Sequence, residues 1–397
     1  MQSAPKGQAE FIVLVAMLTA MVAMSIDTML PAIGEMAREL GAANPNDQQH
    51  ILTSFFVGLT VGTLIYGPIS DSTGRKPAIL VGLAIYAIGS LLCYVAEDFF
   101  TILAGRALQG FGAAAPRVVS MAMVRDGQAG NAMARVMSFV MSVFMLVPIL
   151  APAIGQLALW AGSWRYIFAG FLVMGFIAAA WLAFRQPETL PRNRRAHFNL
   201  PGLFAAAKET LTTPVTLGYT LAVGSIFGAF VCYLSSSAQV FQVQYNQGDA
   251  FALWFGGLAV AIAAAMIVNG KLVMKLGMRL LSKWALRGFI VTSALFLLLS
   301  LATGGHPPLW ALGLYFFVNF FCSGMIFGNY NAMALEPMGH IGGMAAAVTG
   351  FISSLIAVAT GGIIGQFYTG SVTPIALGFT ILGCCAWIFS EWAERNR

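Results

Sequence analysis

The stretch "YGPISDSTGRKP", from Tyr66 to Pro77, is a charged turn between two long apolar segments of the chain. Each flanking segment is on the order of 20 residues long, which lets a helix cross a hydrocarbon core of about 30 Å. Glycines in such a turn suit tight helix ends, and Asp71 and Arg75 can pair across it. The stretch therefore predicts two membrane-spanning helices joined by a short ionic turn at one membrane surface.

The rest of the chain has the same apolar character. Of its 397 residues, 58% are hydrophobic and only 9% are charged, whereas soluble domains are roughly 25% charged. Hydropathy predicts an all-α membrane protein with twelve transmembrane helices. The predicted spans cover residues 11–33, 50–70, 78–96, 99–123, 134–158, 165–184, 215–236, 250–275, 283–303, 308–335, 342–367 and 373–392.

The positions of the basic residues predict the orientation of these spans. With the N-terminus in the cytoplasm, 17 of the 21 lysines and arginines fall on or near the cytoplasmic face. Arg38 and Arg165 face outward, and Arg106 and Arg117 lie within a span. The positive-inside rule therefore places both termini in the cytoplasm. It also accounts for the net charge of +6 without nucleic acid as a partner.

One long hydrophilic segment, "RQPETLPRNRRAHFNLPG", begins at Arg185 and divides the chain. It predicts an N-terminal six-helix bundle over residues 1–184, a cytoplasmic linker over 185–214 and a C-terminal six-helix bundle over 215–397. A basic linker of this kind is expected to lie near anionic lipid headgroups, with the binding of a partner as the alternative.

The two predicted bundles also resemble each other in sequence. The stretch "NGKLVMKLGMRL", residues 269–280, follows the eighth span as "YGPISDSTGRKP" follows the second. Each contains two glycines seven residues apart. This pattern predicts a duplicated six-helix unit with a pseudo-twofold axis along the membrane normal. The copies differ chemically, because Met274 stands where the first copy has Asp71.

"GPISDSTGRKP" resembles the signature of the major facilitator superfamily, a Gly-x-x-x-Asp-x-x-Gly-Arg-Lys turn between spans two and three. The resemblance implies a cluster that latches one conformation of a transporter, with Asp126 similar to its usual third member. A turn that only sets the topology is the alternative. The residues that match the signature are Gly67, Asp71, Gly74, Arg75 and Lys76.

Two further stretches resemble motifs of the same superfamily. "RALQGFGAAAPRVVSMAMVRD", which begins at Arg106, is similar to the span-four motif. "APAIG" resembles the span-five antiporter motif, usually Gly-Pro-x-x-Gly-Gly, although Ala151 and Gln156 replace its first and last glycines. Pro148, Pro152 and Gly155 predict a kinked, closely packed fifth span, with an ordinary kinked helix as the alternative.

The subfamily is indicated by three stretches taken together: "SIDTMLPAI", "IYGPISDSTGRKP" and "WRYIF". They resemble the Bcr/CflA group of twelve-span exporters in the bacterial inner membrane. The resemblance implies proton-coupled efflux of compounds such as bicyclomycin and phenicols, and hence antibiotic resistance, by a protein that works as a monomer.

Asp27 is an acidic residue inside the first predicted span, in "MSIDTMLPAI". A carboxylate there costs a few kcal/mol, so it must face protein or water. Counting along the helices places Asp27 about 9 Å and Arg106 about 10 Å below the outer membrane surface. Since spans one, four, seven and ten line the cavity in the superfamily, we expect the two side chains to approach each other, directly or through water.

Two roles remain open for Asp27. A carboxyl group changes its protonation with its access to water and with nearby charges, so Asp27 could couple transport to protons. A permanent structural ion pair with Arg106 is the alternative. Pro31 has no N–H to bond the carbonyl of Asp27, which predicts a polar, bendable backbone at this point.

Other polar residues are weaker candidates. Arg117 projects from the same face of span four as Arg106, and either contacts polar or anionic substrate groups or pairs with an acid such as Asp126. Asn331 could line the cavity, whereas Glu336 is expected to pair near the cytoplasmic end of span ten. Methionine and aromatic side chains in spans one and ten suit bulky, partly apolar substrates.

Several other classes of protein are disfavoured. The four histidines lie in loops or at the outer entry to a span, and the five cysteines lie in apolar segments, so neither a metal site nor disulfides are indicated. No cofactor is expected, and no Gly-x-x-x-x-Gly-Lys-Ser/Thr motif indicates ATP hydrolysis. An intramembrane enzyme or a channel is therefore disfavoured. The leading hypothesis is a proton-coupled exporter that works by alternating access, and the alternative is a symporter or facilitator for a small metabolite.

Overall fold

The structure is a computed structural model that describes residues 6–128, 130–195 and 200–397. Within these ranges the regular elements are all helical. The helices are α1 (Lys6–Asp27), α2 (Ile33–Glu39), α3 (Gln48–Thr73), α4 (Arg75–Tyr94), α5 (Phe99–Gly127), α6 (Gly130–Trp160), α7 (Arg165–Arg185), α8 (Leu200–Thr212), α9 (Pro214–Ala238), α10 (Phe251–Leu276), α11 (Met278–Ala302), α12 (Leu309–Leu335), α13 (Gly342–Gln366) and α14 (Thr373–Arg395).

Twelve of these helices correspond to the twelve predicted spans. Ten ranges of the described chain are long and apolar enough to cross a membrane, and one of them, Leu309–Gln366, contains both α12 and α13. The twelfth span is α5, which has 29 residues and includes Arg106 and Arg117. The protein is therefore a multi-pass, all-helical membrane protein, and the predicted fold class is confirmed.

The first span differs from the prediction in one respect. A continuous helix was expected over residues 11–33, but α1 ends at Asp27 and is followed by a 3-10 turn over Leu30–Ala32 and by the short helix α2. Pro31 explains the difference, because it has no N–H for the hydrogen bond that would continue the α-helix.

The predicted linker over residues 185–214 contains regular structure. A 3-10 turn covers Arg192–Arg194, and α8 follows from Leu200 to Thr212. Residues 196–199 of the predicted linker lie outside the described residues.

The chain divides into two compact units. Unit 1 contains residues 1–43 and 54–200, and unit 2 contains residues 44–53 and 201–397. The first turns of α3 therefore belong to unit 2, although they precede most of unit 1 in the sequence. The division into two six-helix bundles with a separate linker remains a prediction.

Close packing of α4 on α5 organises unit 1. A Cβ atom added at Gly89 would collide with the main-chain nitrogen of Gln109, and one added at Gly112 would collide with that of Tyr86. Glycines in membrane helices allow the main chains to approach closely enough for dispersion and polar contacts to hold the helices together. This approach places polar side chains of α4 next to those of α5.

Aromatic side chains organise unit 2. The ring of Tyr233 on α9 lies 4.6 Å from Phe320 and 4.8 Å from Phe316 on α12, both in edge-to-face contact. Tyr315 stacks on Phe296 of α11 with 4.0 Å between the ring centroids. Such pairs add to the dispersion energy of the buried rings, so α9, α11 and α12 share one aromatic core.

Neutral amides connect the beginning of α3 with other parts of unit 2. Gln49 Nε2 donates to Gln239 Oε1 over 2.7 Å and to the carbonyl of Gly365 over 3.0 Å. Gln239 Nε2 donates to Asn46 Oδ1 over 2.8 Å, and Asn46 Nδ2 donates to the carbonyl of Gln366 over 2.9 Å. These hydrogen bonds between neutral groups fix residues 44–53 to α13 and to Gln239, which directly follows α9.

Candidate functional site

Asp27 is the last residue of α1 and stands at the interruption of the first span. The Thr28 N–H still donates to the Met24 carbonyl over 3.1 Å, but Ala32 N–H turns to the Met29 carbonyl at 2.9 Å. The Asp27 side chain is buried, with 5% of the residue exposed. Within the described part of the chain, no ion pair or hydrogen bond to its carboxylate is present. The place of Asp27 at the end of α1 therefore buries its side chain, and no charged group of the described residues pairs with it.

Helix α6 packs directly on this interruption. A Cβ atom added at Gly155 would collide with the carbonyl oxygen of Thr28 and would lie 3.4 Å from Cδ of Pro31. One turn earlier, Ala151 is fully buried in a cluster with Ala20 and Ala23 of α1. The predicted span-five motif therefore contacts the segment that carries Asp27.

The helix α6 continues through Pro148 and Pro152. Pro152 is buried, and both prolines lie within two turns of Gly155. Alanine in place of the first motif glycine still permits close contact, because the facing residues of α1 are alanines. A kink at the prolines remains a prediction.

Arg106 is fully buried on α5 and binds polar groups of unit 1. Its Nη1 donates to Gln109 Oε1 over 2.5 Å, and its Nη2 donates to the main-chain carbonyl of Ser25 over 3.1 Å. The guanidinium also lies 4.4 Å from the centroid of the Phe55 ring. Carbonyl dipoles and a π-face can stabilise a buried guanidinium without a carboxylate.

The expected approach of Arg106 to Asp27 is not a direct ion pair in this structure, and an approach through water stays a prediction. Arg106 reaches α1 two residues before Asp27, at the carbonyl of Ser25. No ion pair joins the two side chains among the residues that the structure describes. Gln109, three residues after Arg106 on the same helix, accepts a hydrogen bond from the guanidinium instead.

A hydrogen-bonded network extends from Arg106 into α4. Gln109 Nε2 donates to Ser90 Oγ over 2.8 Å, and Ser90 Oγ donates to the carbonyl of Tyr86 over 2.8 Å. The Tyr86 hydroxyl lies 2.7 Å from Ser25 Oγ, which itself donates to the Met21 carbonyl. Tyr86 therefore donates to Ser25 and closes the network.

The sequence interpretation missed the residues of this network. The available signal was helical spacing: Tyr86 and Ser90 are four residues apart, and Arg106 and Gln109 are three apart, so each pair shares one helix face. Polar residues on one face of a membrane helix are expected to find partners on a neighbouring helix.

Arg117 lies on α5 eleven residues after Arg106, and its side chain is exposed. The alternative pairing with Asp126 is not formed, because Asp126 binds Arg75 instead. Within the described residues, no ion pair to Arg117 is present. Of the two arginines on this face, Arg106 is enclosed and Arg117 is accessible.

Arg75 is the centre of the predicted latch. Its Nε donates to Asp126 Oδ2 over 2.8 Å, its Nη1 donates to Ser70 Oγ over 2.8 Å, and the same Nη1 contacts Asp71. Gly74 directly before it has φ of 110°, a conformation that L-residues rarely adopt. The structure thus brings together the ends of α3 and α5 and the start of α4, as the signature predicted.

Glu188 is a further member of this cluster that the sequence did not indicate. Its carboxylate accepts hydrogen bonds from the main-chain N–H groups of Arg75, at 2.9 Å, and Lys76, at 3.2 Å. A carboxylate at a helix N-terminus satisfies free N–H groups and interacts favourably with the helix dipole. The Lys76 ammonium binds the carbonyls of Ala183 and Gln186 at the end of α7. Gly67 has open space around it.

Unit 2 has a corresponding cluster built from other residues. Arg279 follows Gly277, whose φ is 78°, and donates to Glu336 and Glu394 at 3.1 Å each. The expected pairing of Glu336 is confirmed. Glu394 also accepts a hydrogen bond from Tyr219. Since Met274 replaces the acid of the first copy, the last helix supplies the second carboxylate.

Asn331, the second-half candidate for the cavity, is exposed and donates to the carbonyl of Phe327 over 2.8 Å. The more enclosed amides of α12 lie nearby: Asn329 is buried and forms a reciprocal pair with Asn269 at 2.9 and 3.1 Å. A role for Asn331 in substrate binding stays a prediction.

The fold and these clusters define a polytopic, all-helical membrane protein whose buried polar side chains are mostly paired between neighbouring helices. The model of the Major Facilitator Superfamily matches residues 14–362, so the chain belongs to this superfamily. As a member of it, the protein is a membrane transporter rather than an enzyme.

Two curated relatives match nearly the whole chain, and a third matches less than half of it. An uncharacterized MFS-type transporter, YdgK of Bacillus subtilis, is 30% identical over 387 residues, which are 96% of this chain and 95% of that protein. The bicyclomycin resistance protein homolog of Haemophilus influenzae is 30% identical over 375 residues, 94% and 93% of the two chains. The multidrug resistance protein MdtL of Escherichia coli is 33% identical over 172 residues, 43% of this chain and 44% of that one. The predicted family assignment, including the likeness to a bicyclomycin resistance protein homolog, is confirmed.

Solved structures share the fold. The xylose transporter XylE from E. coli, in a partially occluded inward-open conformation, has a TM-score of 0.73 at 10% identity over 98% of each chain. The human organic anion transporter MFSD10 has a TM-score of 0.68 at 16% identity over 98% of this chain and all of that one.

Proposed function

We propose that the protein is a proton-coupled exporter of bulky, partly apolar, drug-like molecules of the bicyclomycin or phenicol class. In this proposal it lies in a bacterial inner membrane with both termini in the cytoplasm, and it works as a monomer by alternating access. The names of two relatives, a bicyclomycin resistance protein homolog and a multidrug resistance protein, support the substrate class.

The single observation that carries the proton coupling is the environment of Asp27. This carboxyl group is buried at the interruption of the first span, and the Arg106 guanidinium on α5 donates to Gln109 and to the carbonyl of Ser25. A buried carboxyl group without a charged partner takes up a proton when water is excluded and releases it when water has access. In an alternating-access cycle, the exposure of Asp27 to water changes as the protein opens first to one side of the membrane and then to the other. Substrate can then bind on one side and a proton on the other.

Two other elements have proposed roles in this cycle. The Arg75 cluster joins the ends of α3 and α5 to the start of α4 by ion pairs between the buried Arg75 guanidinium and the partly exposed carboxylates of Asp71 and Asp126. We assign this cluster the role of conformational latch. The contact of Gly155 with Thr28 lets a movement of α6 reach the segment that carries Asp27.

Transport in inverted membrane vesicles with an imposed pH gradient tests the proposal. We expect the parent to accumulate bicyclomycin or chloramphenicol when the lumen is acidic, with release of lumenal protons when the compound is added. Asp27→Asn should lose most of its gradient-driven accumulation, because an amide at this position cannot take up and release a proton as its exposure to water changes.

The matched control is Asp249→Asn, which removes the same charge at an exposed position before α10. It should transport like the parent. Asp27→Asn vesicles that still accumulate the compound in proportion to the pH gradient would refute the coupling role. Accumulation driven only by the opposite gradient would instead favour a symporter.

A further inference from the structure

Arg117 is a charged, accessible side chain far from either end of a membrane-spanning helix. At about 1.5 Å per residue it lies about 15 Å from the last residue of α5, Gly127, and about 27 Å from the first, Phe99. A guanidinium that faced the acyl chains at this depth would be strongly unfavourable. The exposed side chain therefore reaches water within the protein.

The face of α5 that carries Arg117 lies between α1 and α3. Three residues before it, Ala114 packs against Gly62 of α3, and three residues after it, Ser120 Oγ lies 3.4 Å from Thr19 Oγ1 of α1. Ala114 and Ser120 are each rotated about 60° from Arg117 around the helix axis, in opposite directions, so they lie on its two sides. The exposed side chain of Arg117 therefore lies between a close contact with α3 on one side and a contact with α1 on the other.

The carboxylates at the cytoplasmic end of unit 1 are already bound to other groups. Arg75 holds Asp71 and Asp126, and Arg185 holds Glu10 at 2.9 Å. In the described part of the chain, Arg117 has no ion pair. Asp27, by contrast, is 5% exposed. A molecule that enters this part of unit 1 therefore meets an accessible positive charge before it meets a negative one.

We propose that Arg117 determines specificity: it binds an anionic group of the transported molecule and selects against permanently cationic compounds. A guanidinium offers a planar fork of N–H donors that fits a carboxylate or a similar oxygen pair. In a site with little water, a cation also repels a cationic compound over several ångströms. The inference rests on the proposed export function and adds the charge class of its substrates.

The test is competitive transport by the reconstituted full-length protein of three probes: anionic carboxyfluorescein, neutral chloramphenicol and cationic ethidium. We expect the parent to export carboxyfluorescein and chloramphenicol but not ethidium. Arg117→Gln should lower carboxyfluorescein export relative to chloramphenicol by about tenfold, as expected for the loss of one charge-assisted hydrogen bond. Arg117→Lys should restore a part of the ratio.

Arg38→Gln, at an exposed position of α2, is the control and should leave the ratio unchanged. An unchanged ratio in Arg117→Gln, or export of ethidium by the parent as fast as of carboxyfluorescein, would overturn the inference while leaving export itself intact.

Binding of carboxyfluorescein to the purified protein, followed by fluorescence anisotropy, separates the two proposals. Arg117-dependent binding without any export would support the site and contradict the export function. If the parent binds no carboxyfluorescein, or if Arg117→Gln binds it as tightly as the parent, the inference is wrong.

Discussion

Asp27, at the end of α1, and Arg106, which binds α1 at the carbonyl of Ser25, are two buried ionisable groups that do not pair with each other in the described part of the chain. The guanidinium is stabilised by an amide oxygen, a main-chain carbonyl and an aromatic face instead of a carboxylate. Removing a carboxylate from an ion pair inside a protein leaves an uncompensated charge and is costly. Because neutral groups bind Arg106, protonation of Asp27 does not leave this arginine without its partners and does not incur that cost.

Gln109 is the residue on which this separation depends most. We predict that Gln109→Leu destabilises the protein by about 2 kcal/mol, because hydrogen bonds to charged groups contribute about 1.5–3 kcal/mol and the Arg106 guanidinium loses its shortest one. Thermal unfolding of the detergent-solubilised protein measures the effect. Gln156→Leu, a partly exposed position of α6, is the matched control. Equal midpoints for the two variants would contradict the account.

The sequence predicted which residues would interrupt the apolar pattern but not how they would pair. Asp27 and Pro31 were identifiable because a carboxylate and a missing N–H inside a span each have a local physical cost. The partners Gln109, Tyr86 and Glu188 were missed, since pairing depends on helix rotation and on rotamers that hydropathy does not encode.

The contact between α6 and the interrupted first span is the element that connects the span-five motif to Asp27. Gly155 lies against the carbonyl of Thr28, and Ala151 lies against two alanines of α1. The motif could be found in the sequence through its prolines and glycine, but its partner helix could not. The partner follows from the three-dimensional arrangement of unit 1.

We predict that Gly155→Ala destabilises the protein by about 1–3 kcal/mol, the usual cost of inserting a methyl group into a well-packed contact. It should also lower pH-driven transport, because the segment beside Asp27 must shift. Thermal unfolding and vesicle transport measure the two effects. Gly170→Ala on α7, where a Cβ meets open space, is the control. If Gly155→Ala unfolds and transports like the parent, the contact of Gly155 with Thr28 tolerates a methyl group and this prediction is wrong.

The ionic clusters of the two units show how far the internal repeat extends. Both follow a glycine with positive φ, Gly74 in one and Gly277 in the other. The acids differ: α3 and α5 supply them in unit 1, whereas α14 and the residue after α12 supply them in unit 2. Glycine spacing therefore predicted the backbone, and only the structure identified the carboxylates.

For the whole molecule, the fold was predictable because apolar segments of span length are a direct consequence of the hydrocarbon core. The twelve spans, the charged turn and the family all follow from that pattern and from "YGPISDSTGRKP". What the pattern did not contain was the helix α8 inside the predicted linker and the place of residues 44–53 in unit 2. The place of residues 44–53 depends on polar side-chain contacts, such as that of Gln239 with Asn46, which hydropathy does not encode.

The central claim is that Asp27 gives up its proton when the substrate binds, and proton release by the purified protein tests it most directly. Chloramphenicol or bicyclomycin is added to the detergent-solubilised protein in weakly buffered solution, with a pH-sensitive dye as the readout. We predict that the parent and Asp249→Asn release protons on binding, and that Asp27→Asn binds the compound without releasing them. Equal release by Asp27→Asn, or binding to the parent with no release, would contradict the account.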